Sequence, residues 1–409
     1  MNSFQLIKQL RAWGLKGALT AIMRKSHDFT VARYLAKSAR KYSGYKPTKG
    51  ITIVANMRAA NSLSKAIRDF AYRLKEVGIP FQVFDTCQSD GKVDKSDYEE
   101  IVPQFHDFNI MRYTHIVEML TSPLPSGIPL TRCRIAFWEG EAGILDVFPY
   151  LKDADYVIAM SDYNAAYYER EFRGSVKVAK VLYPLMSLPI DVMQKDEARR
   201  RFGIAHDDFV VFYNFDVRAR GRKNLDGTLS AFSKAFRGNI QCKLVLKVNG
   251  ADDEKKNMLL RHAEQYDIRE QLVIITQYLS ETDLYSLTNA CDVYLSLHRA
   301  EGFGLGMAEA MQLGKAVIAT AYSANTEFCK DDNSILVPYK LIPIEDTGFQ
   351  KHMKTWAEPN VEVAANALRR LKADNTERDR LGVAAREFVT EYFSSQNFTK
   401  SIEDLICKM

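Results

Sequence analysis

The stretch DVYLSLHRAEGFGLGMAEAMQLGKAVIATAYSANTEFC, residues 292–329, decides the fold. It opens with an apolar run from Val293 to Leu297 that predicts a buried strand, and a second run from Ala316 to Thr320 predicts the next strand. Between them, a glycine-rich turn at 301–306 leads into a helix pattern that begins at Met307. A strand, glycine turn, helix and strand in this order predict an α/β domain and present backbone N–H groups to a phosphate.

Two carboxylates bracket this turn. Glu301 lies in the loop after the first predicted strand, and Glu309 lies in the first turn of the helix, where it favours the helix dipole. The turn is not a dinucleotide-binding fingerprint, because after Gly302 and Gly304 the third glycine would fall at the position of Met307. A glycine turn and a capping glutamate occur in any doubly wound protein, so this pattern alone leaves a phosphate site and a plain turn open.

Taken whole, the stretch resembles the nucleotide-sugar motif of the retaining glycosyltransferases of family 4, which have the GT-B fold. The resemblance rests on Glu301 and Glu309, on Gly302-Phe303-Gly304, on Ala308-Glu309-Ala310-Met311 and on the continuation from Leu313 to Thr320. Gly306 departs from the family, which often has proline there. The resemblance implies two Rossmann-like, doubly wound domains that face each other across a cleft.

Length, composition and cysteines agree with a two-domain globular protein. At 409 residues the chain is long enough for two domains. No run of 18 apolar residues predicts a membrane-spanning helix. The six cysteines are scattered without a C-x-x-C pair, so we expect reduced thiols in a cytoplasmic protein.

Residues 1–50 form a basic amphipathic segment. They carry eleven Lys or Arg against one acid, Asp28, and Phe4, Ile7, Leu10 and Trp13 recur at helical spacing. Such a segment suits an anionic membrane surface, which would place the protein peripherally on the inner face of the membrane. A basic helix packed on the protein is the alternative interpretation. Nucleic acid is not an expected partner, because no recognition motif accompanies the charge.

The first domain is expected over 51–190, as a Rossmann-like acceptor domain. Its first strand (51–57) leads through Asn61 and Ser62 to a helix predicted at 67–77. The resemblance places this loop on the acceptor side of the cleft, where both side chains would face a sugar hydroxyl or a phosphate; alternatively, Ser62 only caps the helix. Residues 88–115 are polar and less regular in pattern.

Trp138 and Glu139 follow a strand predicted at 135–137. An aromatic face and a carboxylate at a strand's end are typical of sugar-binding sites, and relatives of this kind carry a Trp-Glu pair at a similar place. Both residues are therefore acceptor-side candidates. A buried tryptophan beside a surface acid is the alternative.

The nucleotide-sugar domain is expected over 205–385, and the C-terminal helix at 386–409 is expected to cross back to the first domain. Its first strand (209–213) precedes a loop with four cations, Arg218, Arg220, Arg222 and Lys223. Clustered cations in a strand-to-helix loop predict an anion site, with a solvated basic loop as the alternative. The resemblance assigns neutralisation of the donor diphosphate to Arg218 and Lys223.

The resemblance implies transfer of a sugar from a nucleotide-diphosphate sugar to a glycan or lipid-linked acceptor, such as a polysaccharide precursor, with retention. Catalytic roles fall to Glu301, Lys223 and Arg218. Donor contacts fall to Glu309, Gly302, Phe303, Gly304, Leu305, Gly306, Arg222 and Tyr278, the last because the nucleotide base sits against the loop 277–280 in the family. No metal and no cofactor are expected, since the cations replace a metal and no Asp-x-Asp motif ends a predicted strand. A GT-B epimerase, a phosphorylase and a non-catalytic nucleotide-sugar-binding or scaffold protein are the alternatives.

Overall fold

The computed structural model describes residues 48–59, 61–86, 93, 95, 98–104, 113–119, 131–140, 142–344 and 352–407. Nearly all of the basic segment at 1–50, and with it the predicted membrane contact, lies outside the described residues. Within those residues, no helix combines the length and the apolarity that crossing a bilayer requires.

The first domain is built on a six-stranded parallel sheet. Its strands are β1 (Thr48–Ala55), β2 (Phe81–Asp85), β3 (Tyr113–Met119), β4 (Thr131–Ala136), β5 (Tyr156–Ala159) and β6 (Lys177–Lys180). Its helices are α1 (Ser62–Glu76), α2 (Ile144–Val147) and α3 (Asp162–Phe172). The order across the sheet is β2-β1-β3-β4-β5-β6, with every pair parallel. Helices cover the sheet, so the apolar residues of β1 are buried.

The second domain repeats the plan. Its strands are β7 (Phe209–Asp216), β8 (Cys242–Asn249), β9 (Leu272–Ile275), β10 (Val293–Ser296), β11 (Ala316–Thr320) and β12 (Ile335–Val337), followed by the antiparallel hairpin of β13 (Tyr339–Pro343) and β14 (Thr355–Pro359). Its helices are α4 (Lys195–Phe202), α5 (Leu225–Phe236), α6 (Asp253–Glu264), α7 (Glu281–Asn289), α8 (Leu305–Gln312), α9 (Val361–Ala373), α10 (Asn375–Tyr392) and α11 (Ser395–Cys407).

The order β12-β11-β10-β7-β8-β9 is that of a doubly wound dinucleotide-type sheet. The strand order reverses between β10 and β7, and ligands bind such sheets at the carboxyl ends of the strands next to that reversal. The predicted α/β class with two doubly wound domains is therefore confirmed. The reversal also predicts where the site lies.

Element boundaries show what local pattern alone misses. β11 occupies the predicted residues, whereas α1 begins at Ser62 rather than at 67, because the Asn61 side chain accepts the amide of Ser64 and starts the helix earlier. β3 has no counterpart in the sequence prediction. Its sequence YTHIVEM mixes polar and apolar residues, so it lacks the apolar run by which the other strands are recognised.

The C-terminal helix α11 packs against the first domain. The Phe398 ring lies edge-on to Phe70 of α1, with 5.9 Å between ring centroids, and the amide of Leu182 donates to Ser401 Oγ at 3.0 Å. The predicted boundary at 386 falls inside α10, so the returning helix begins later, at Ser395.

A buried carboxylate ties α4 to the second sheet. Asp292, 8% exposed, accepts from Arg199 at 2.9 Å and from Lys195 at 2.6 Å, both in α4, and from the amide of Val210 in β7 at 2.8 Å. Burial would raise the pKa of Asp292, but the two cations and the amide outweigh it and lower the pKa below its usual value. The carboxylate therefore stays charged and holds the start of the second domain in place.

Candidate functional site

A cavity of about 240 Å³ lies between the two domains at the carboxyl ends of β7, β8 and β10. Residues of both domains line it. The predicted site residues that it brings together are Asn61, Ser62, Arg222, Lys223, Tyr278, Glu301, Leu305, Gly306 and Glu309.

Glu301 holds two cations at the wall of this cavity. Its Oε2 pairs with Lys223 Nζ, and its Oε1 lies 3.6 Å from Arg222 Nη1. Arg222 also donates to the Ala300 carbonyl at 3.0 Å, and its Nε lies 3.4 Å from Glu139 Oε1 of the first domain. The cluster therefore joins the β7 loop, the β10 loop and the opposite domain.

Burial and charge act in opposite directions on this cluster. Burial would raise the pKa of Glu301, but the charges of Lys223 and Arg222 outweigh it and lower the pKa to about 2. Burial lowers the pKa of Lys223, and Glu301 offsets this only in part. Glu301 is therefore an anion at neutral pH. An incoming phosphate would compete with it for both cations.

The β7 loop selects which cations reach the cavity. A 3-10 turn at Val217–Ala219 is followed by Asn224 in the left-handed region at φ 51°, where its side chain accepts the amide of Gly227 and starts α5. The hydroxyl of Tyr213 in β7 donates to the Lys223 carbonyl at 2.9 Å. These contacts fix Lys223 over the end of β7.

Arg218 is not brought to the cavity. Its guanidinium makes two hydrogen bonds to Asp216, at 2.9 and 2.7 Å, and its side chain is 82% exposed. The preceding turn points it to solvent, and the neighbouring carboxylate captures it there. Arg222, assigned above only as a further donor contact, lines the cavity beside Lys223 instead.

The first residues of the glycine turn fix its backbone, whereas the last ones line the cavity. Gly304 has φ of 100°, which an L side chain rarely adopts, and a Cβ on Gly302 would lie 3.3 Å from Phe137 of the first domain. The Phe303 ring is buried and stacks on Tyr183 with 4.0 Å between centroids. These three residues shape the turn. Leu305 and Gly306 line the cavity at the start of α8.

The first residues of α8, Leu305 and Gly306, line this cavity. The Met307 amide donates to the Gly304 carbonyl at 2.9 Å, so the donors left to a ligand come from earlier residues of the turn. Gly306 admits no Cβ, because the Tyr294 hydroxyl and Asn214 Oδ1 occupy that space. A proline at 306, which the family often has, would not fit over these two side chains, whereas glycine does.

Glu309 faces cations of the first domain. It accepts from the Tyr285 hydroxyl at 3.2 Å, and Lys65 Nζ of α1 lies 3.9 Å away. Burial raises the pKa of Glu309 to about 7, because Lys65 offsets it only in part and Glu281 and Asp69 add to the rise. Lys65 and Arg68 also pair with Glu281 at 3.1 Å, which links α1 to the start of α7 across the cleft.

Of the acceptor-side candidates, some line the cavity and others do not. Asn61, not Ser62, caps α1, and both residues line the cavity. Trp138 is not brought to it: the indole is 1% exposed, and its Nε1 donates to the Ala142 carbonyl at 2.9 Å, so the buried-tryptophan alternative describes this side chain. Glu139 acts on the cavity through its ion pair with Arg222.

Several lining residues have no counterpart in the sequence prediction. They are Lys65 and Arg68 in α1, Asn214 and Asp216 in β7, Lys247 and Asn249 in β8, and Glu281 in α7. Lys65 and Arg68 could have been predicted from their spacing, since at helical spacing they share a face with Asn61. Among the described residues, no three Asp, Glu, His or Cys side chains cluster as metal ligands.

Comparison with known proteins identifies similar sequences. The family described as glycosyl transferases group 1 matches residues 194–388. A serotype-specific mannosyltransferase, WbdA of Escherichia coli, is 27% identical over 146 residues, which are 33% of this chain and 18% of WbdA. The alpha-1,3/1,6-mannosyltransferase ALG2 of Dictyostelium discoideum is 22% identical over 281 residues, covering 63% and 61% of the two chains. The match thus spans under a fifth of WbdA.

Solved structures show the same fold. Sucrose-phosphate synthase of Thermosynechococcus elongatus has a TM-score of 0.66 at 16% identity, covering 88% of this chain and 99% of that one. HepE of Anabaena, in complex with UDP and glucose, has a TM-score of 0.63 at 15% identity, covering 88% and 100%. At these identities the likeness is evidence of the fold alone.

Proposed function

We propose that this chain, which matches the glycosyl transferases group 1 over residues 194–388 and has the GT-B fold, transfers a sugar from a nucleotide-diphosphate sugar to an acceptor hydroxyl, with retention and without a metal. The observation that carries this proposal is the cluster of Lys223, Arg222 and Glu301 beside the start of α8. Two cations and a helix N-terminus converge there on one cavity, which suits a diphosphate.

In the proposed reaction, the bond from the sugar's anomeric carbon to the diphosphate breaks, and a bond to the acceptor oxygen forms. Negative charge grows on the leaving diphosphate, and Lys223 and Arg222 offset it. The acceptor's proton leaves with the diphosphate, so the balance needs no protein nucleophile.

The two glutamates bind the donor in this proposal. Glu309 accepts from the ribose hydroxyls. Burial raises its pKa to about 7, and these hydroxyl donors would lower the pKa again, because they stabilise the charged carboxylate. Glu301 accepts from hydroxyls of the donor sugar while it holds the two cations. Tyr278 lies on the wall where the base would sit.

We propose a glycan or lipid-linked acceptor, which would enter past Asn61 and Ser62 on the first-domain side. The names of the similar proteins make mannose the first sugar to test.

Ligand-induced thermal stabilisation tests the donor site. We expect one nucleoside diphosphate among UDP, GDP and ADP to raise the melting temperature, because ligand at a hundred times its dissociation constant adds about 2.7 kcal/mol to the unfolding free energy. Glu309→Gln should weaken this response. Glu362→Gln, at a helix glutamate on the surface and outside the cavity, should leave it intact. No response to any diphosphate would argue for a non-catalytic protein.

Product analysis tests the finer points. With the matching nucleotide sugar, the anomeric configuration read by NMR should equal that of the donor, and turnover should survive EDTA. An inverted product, or release of an epimerised nucleotide sugar, would contradict the proposal.

We also propose that the basic segment binds an anionic membrane surface. Replacing Arg11, Lys16, Arg24 and Lys25 by glutamine should weaken binding to vesicles that contain phosphatidylglycerol by about 1 kcal/mol per residue. Sedimentation with such vesicles measures this, and neutral phosphatidylcholine vesicles are the control. Unchanged sedimentation of the variant would favour the packed basic helix.

A further inference from the structure

Lys247 is a buried cation that the reaction described above does not use. It lies inside β8, two residues before the end of the strand, is 3% exposed and lines the cavity. Its Nζ donates to Asn249 Oδ1 at 2.5 Å. An ammonium carries three donors, so this contact leaves two that need acceptors.

Lys247 differs from the other cations around the cavity. Lys65, Arg68, Arg222 and Lys223 each have a carboxylate within 4.0 Å. Among the described lining residues, Lys247 is the cation without such a partner. Burying an uncompensated ammonium is unfavourable, so a charged Lys247 at this position calls for an anion that arrives with a ligand.

The position of β8 indicates which part of a ligand this would be. β8 lies between β7, whose loop carries Arg222 and Lys223, and β9, whose loop carries Tyr278. Lys247 pairs in register with Asn214 of β7, so it lies one strand from the base of the loop with the two cations. It therefore borders the cavity next to the place proposed for the diphosphate.

We propose that Lys247 binds a phosphoryl oxygen of the donor's diphosphate, as a third cation of the site, and thereby favours nucleoside diphosphates over monophosphates. This inference rests on the proposed function. It adds the cation that the cavity's own carboxylates leave uncompensated.

If Lys247 binds the phosphate, the affinity for the ligand should depend on pH. Burial lowers the pKa of the Lys247 ammonium to about 8, and a bound phosphate would raise it again, so binding above that pH takes up a proton. Affinity should fall about tenfold per pH unit above 8.

The other charged groups that face the cavity are Lys65, Arg68, Asp216, Arg222, Lys223, Glu281, Glu301 and Glu309. Of these, Glu309 has its pKa raised by burial to about 7 and acts in the opposite direction, since its charged form favours the ribose. Burial also lowers the pKa of Lys223, so Lys247→Arg is needed to assign the pH dependence to Lys247.

Calorimetric titration with UDP, GDP, UMP, GMP and inorganic pyrophosphate tests the proposal on the full chain. Lys247→Gln should bind the preferred diphosphate and pyrophosphate about tenfold to a hundredfold more weakly, as expected for one charged hydrogen bond, and should bind the monophosphate nearly as wild type. Lys247→Arg should bind at pH 9 as well as at pH 7.5, because a guanidinium stays charged. Lys243→Gln, on the same strand but outside the cavity, should change nothing.

The outcomes separate the two claims. A wild type that binds neither a nucleoside diphosphate nor pyrophosphate overturns the proposed function together with this inference. A wild type that binds UDP or GDP, with an unchanged constant for Lys247→Gln, overturns this inference alone. An equal loss for mono- and diphosphate also overturns the proposed preference for diphosphates, because the contact would then be to the base, the ribose or the α-phosphate, which both ligands share. Folding of Lys247→Gln is checked by its melting temperature, which should equal or exceed that of wild type at pH 7, since the lowered pKa shows that the charge opposes folding.

Discussion

Replacing Lys223 by glutamine is expected to lower the rate of sugar transfer about a hundredfold to a thousandfold, the cost of removing one preorganised charge from a developing anion. Lys223 is 18% exposed, Tyr213 holds its backbone through the carbonyl, and its ammonium pairs with Glu301 at the wall of the cavity. Glutamine can still donate to Glu301, which keeps the buried carboxylate hydrogen-bonded. The measurement is kcat at saturating donor, with the melting temperature as the check on folding.

Arg218→Ala is the matched control. Arg218 lies in the same loop but pairs with Asp216 in solvent, so we expect kcat within about twofold of wild type, as for most surface substitutions. Arg222→Ala should instead reduce kcat strongly. Comparable losses for Lys223→Gln and Arg218→Ala would contradict this assignment and restore Arg218 to the site.

Replacing Asp292 by asparagine is expected to lower the free energy of unfolding by about 3–5 kcal/mol, because it leaves buried Arg199 without its anionic partner. Urea denaturation measures the loss. Asp283→Asn breaks a more exposed ion pair, with Arg201, and should cost at most about 1 kcal/mol. Equal effects of the two substitutions would show that the Asp292 network does not anchor α4.

The pH dependence of Asp292 has a defined sign. Its pKa is lowered in the folded protein, so its contribution is fully present above the usual carboxyl pKa and is lost as the pH falls through the lowered value. Acid should therefore destabilise wild type more than Asp292→Asn over that range. A constant difference between the two proteins down to strongly acidic pH would contradict this.

The sequence predicts much of the second domain because its signals are local. β11 and the glycine turn are recognised from a short apolar run and from the spacing of glycines, and both depend on neighbours in the chain. β3 is not predicted, since it is a strand only by pairing between β1 and β4, from residues far along the chain. Topology, rather than propensity, makes it a strand.

The candidate site is less predictable, because it depends on orientation. Four cations in the β7 loop look equivalent in sequence, and the turn at Val217–Ala219 decides that Arg218 faces solvent. Lys65 and Arg68 would by default be solvated helix residues. Only the approach of α7 from the second domain places Glu281 against them.

The return of α11 to the first domain has a consequence for the order in which the protein can mature on the ribosome. Phe398 covers Phe70, and Ser401 accepts a hydrogen bond from the amide of Leu182. Residues 395–407, which make these contacts, are synthesised only after the sheet of the second domain. The first domain, although translated first, waits for this helix before its packing is complete. The apolar face around Phe70 therefore stays without this cover until residues 395–407 have been synthesised.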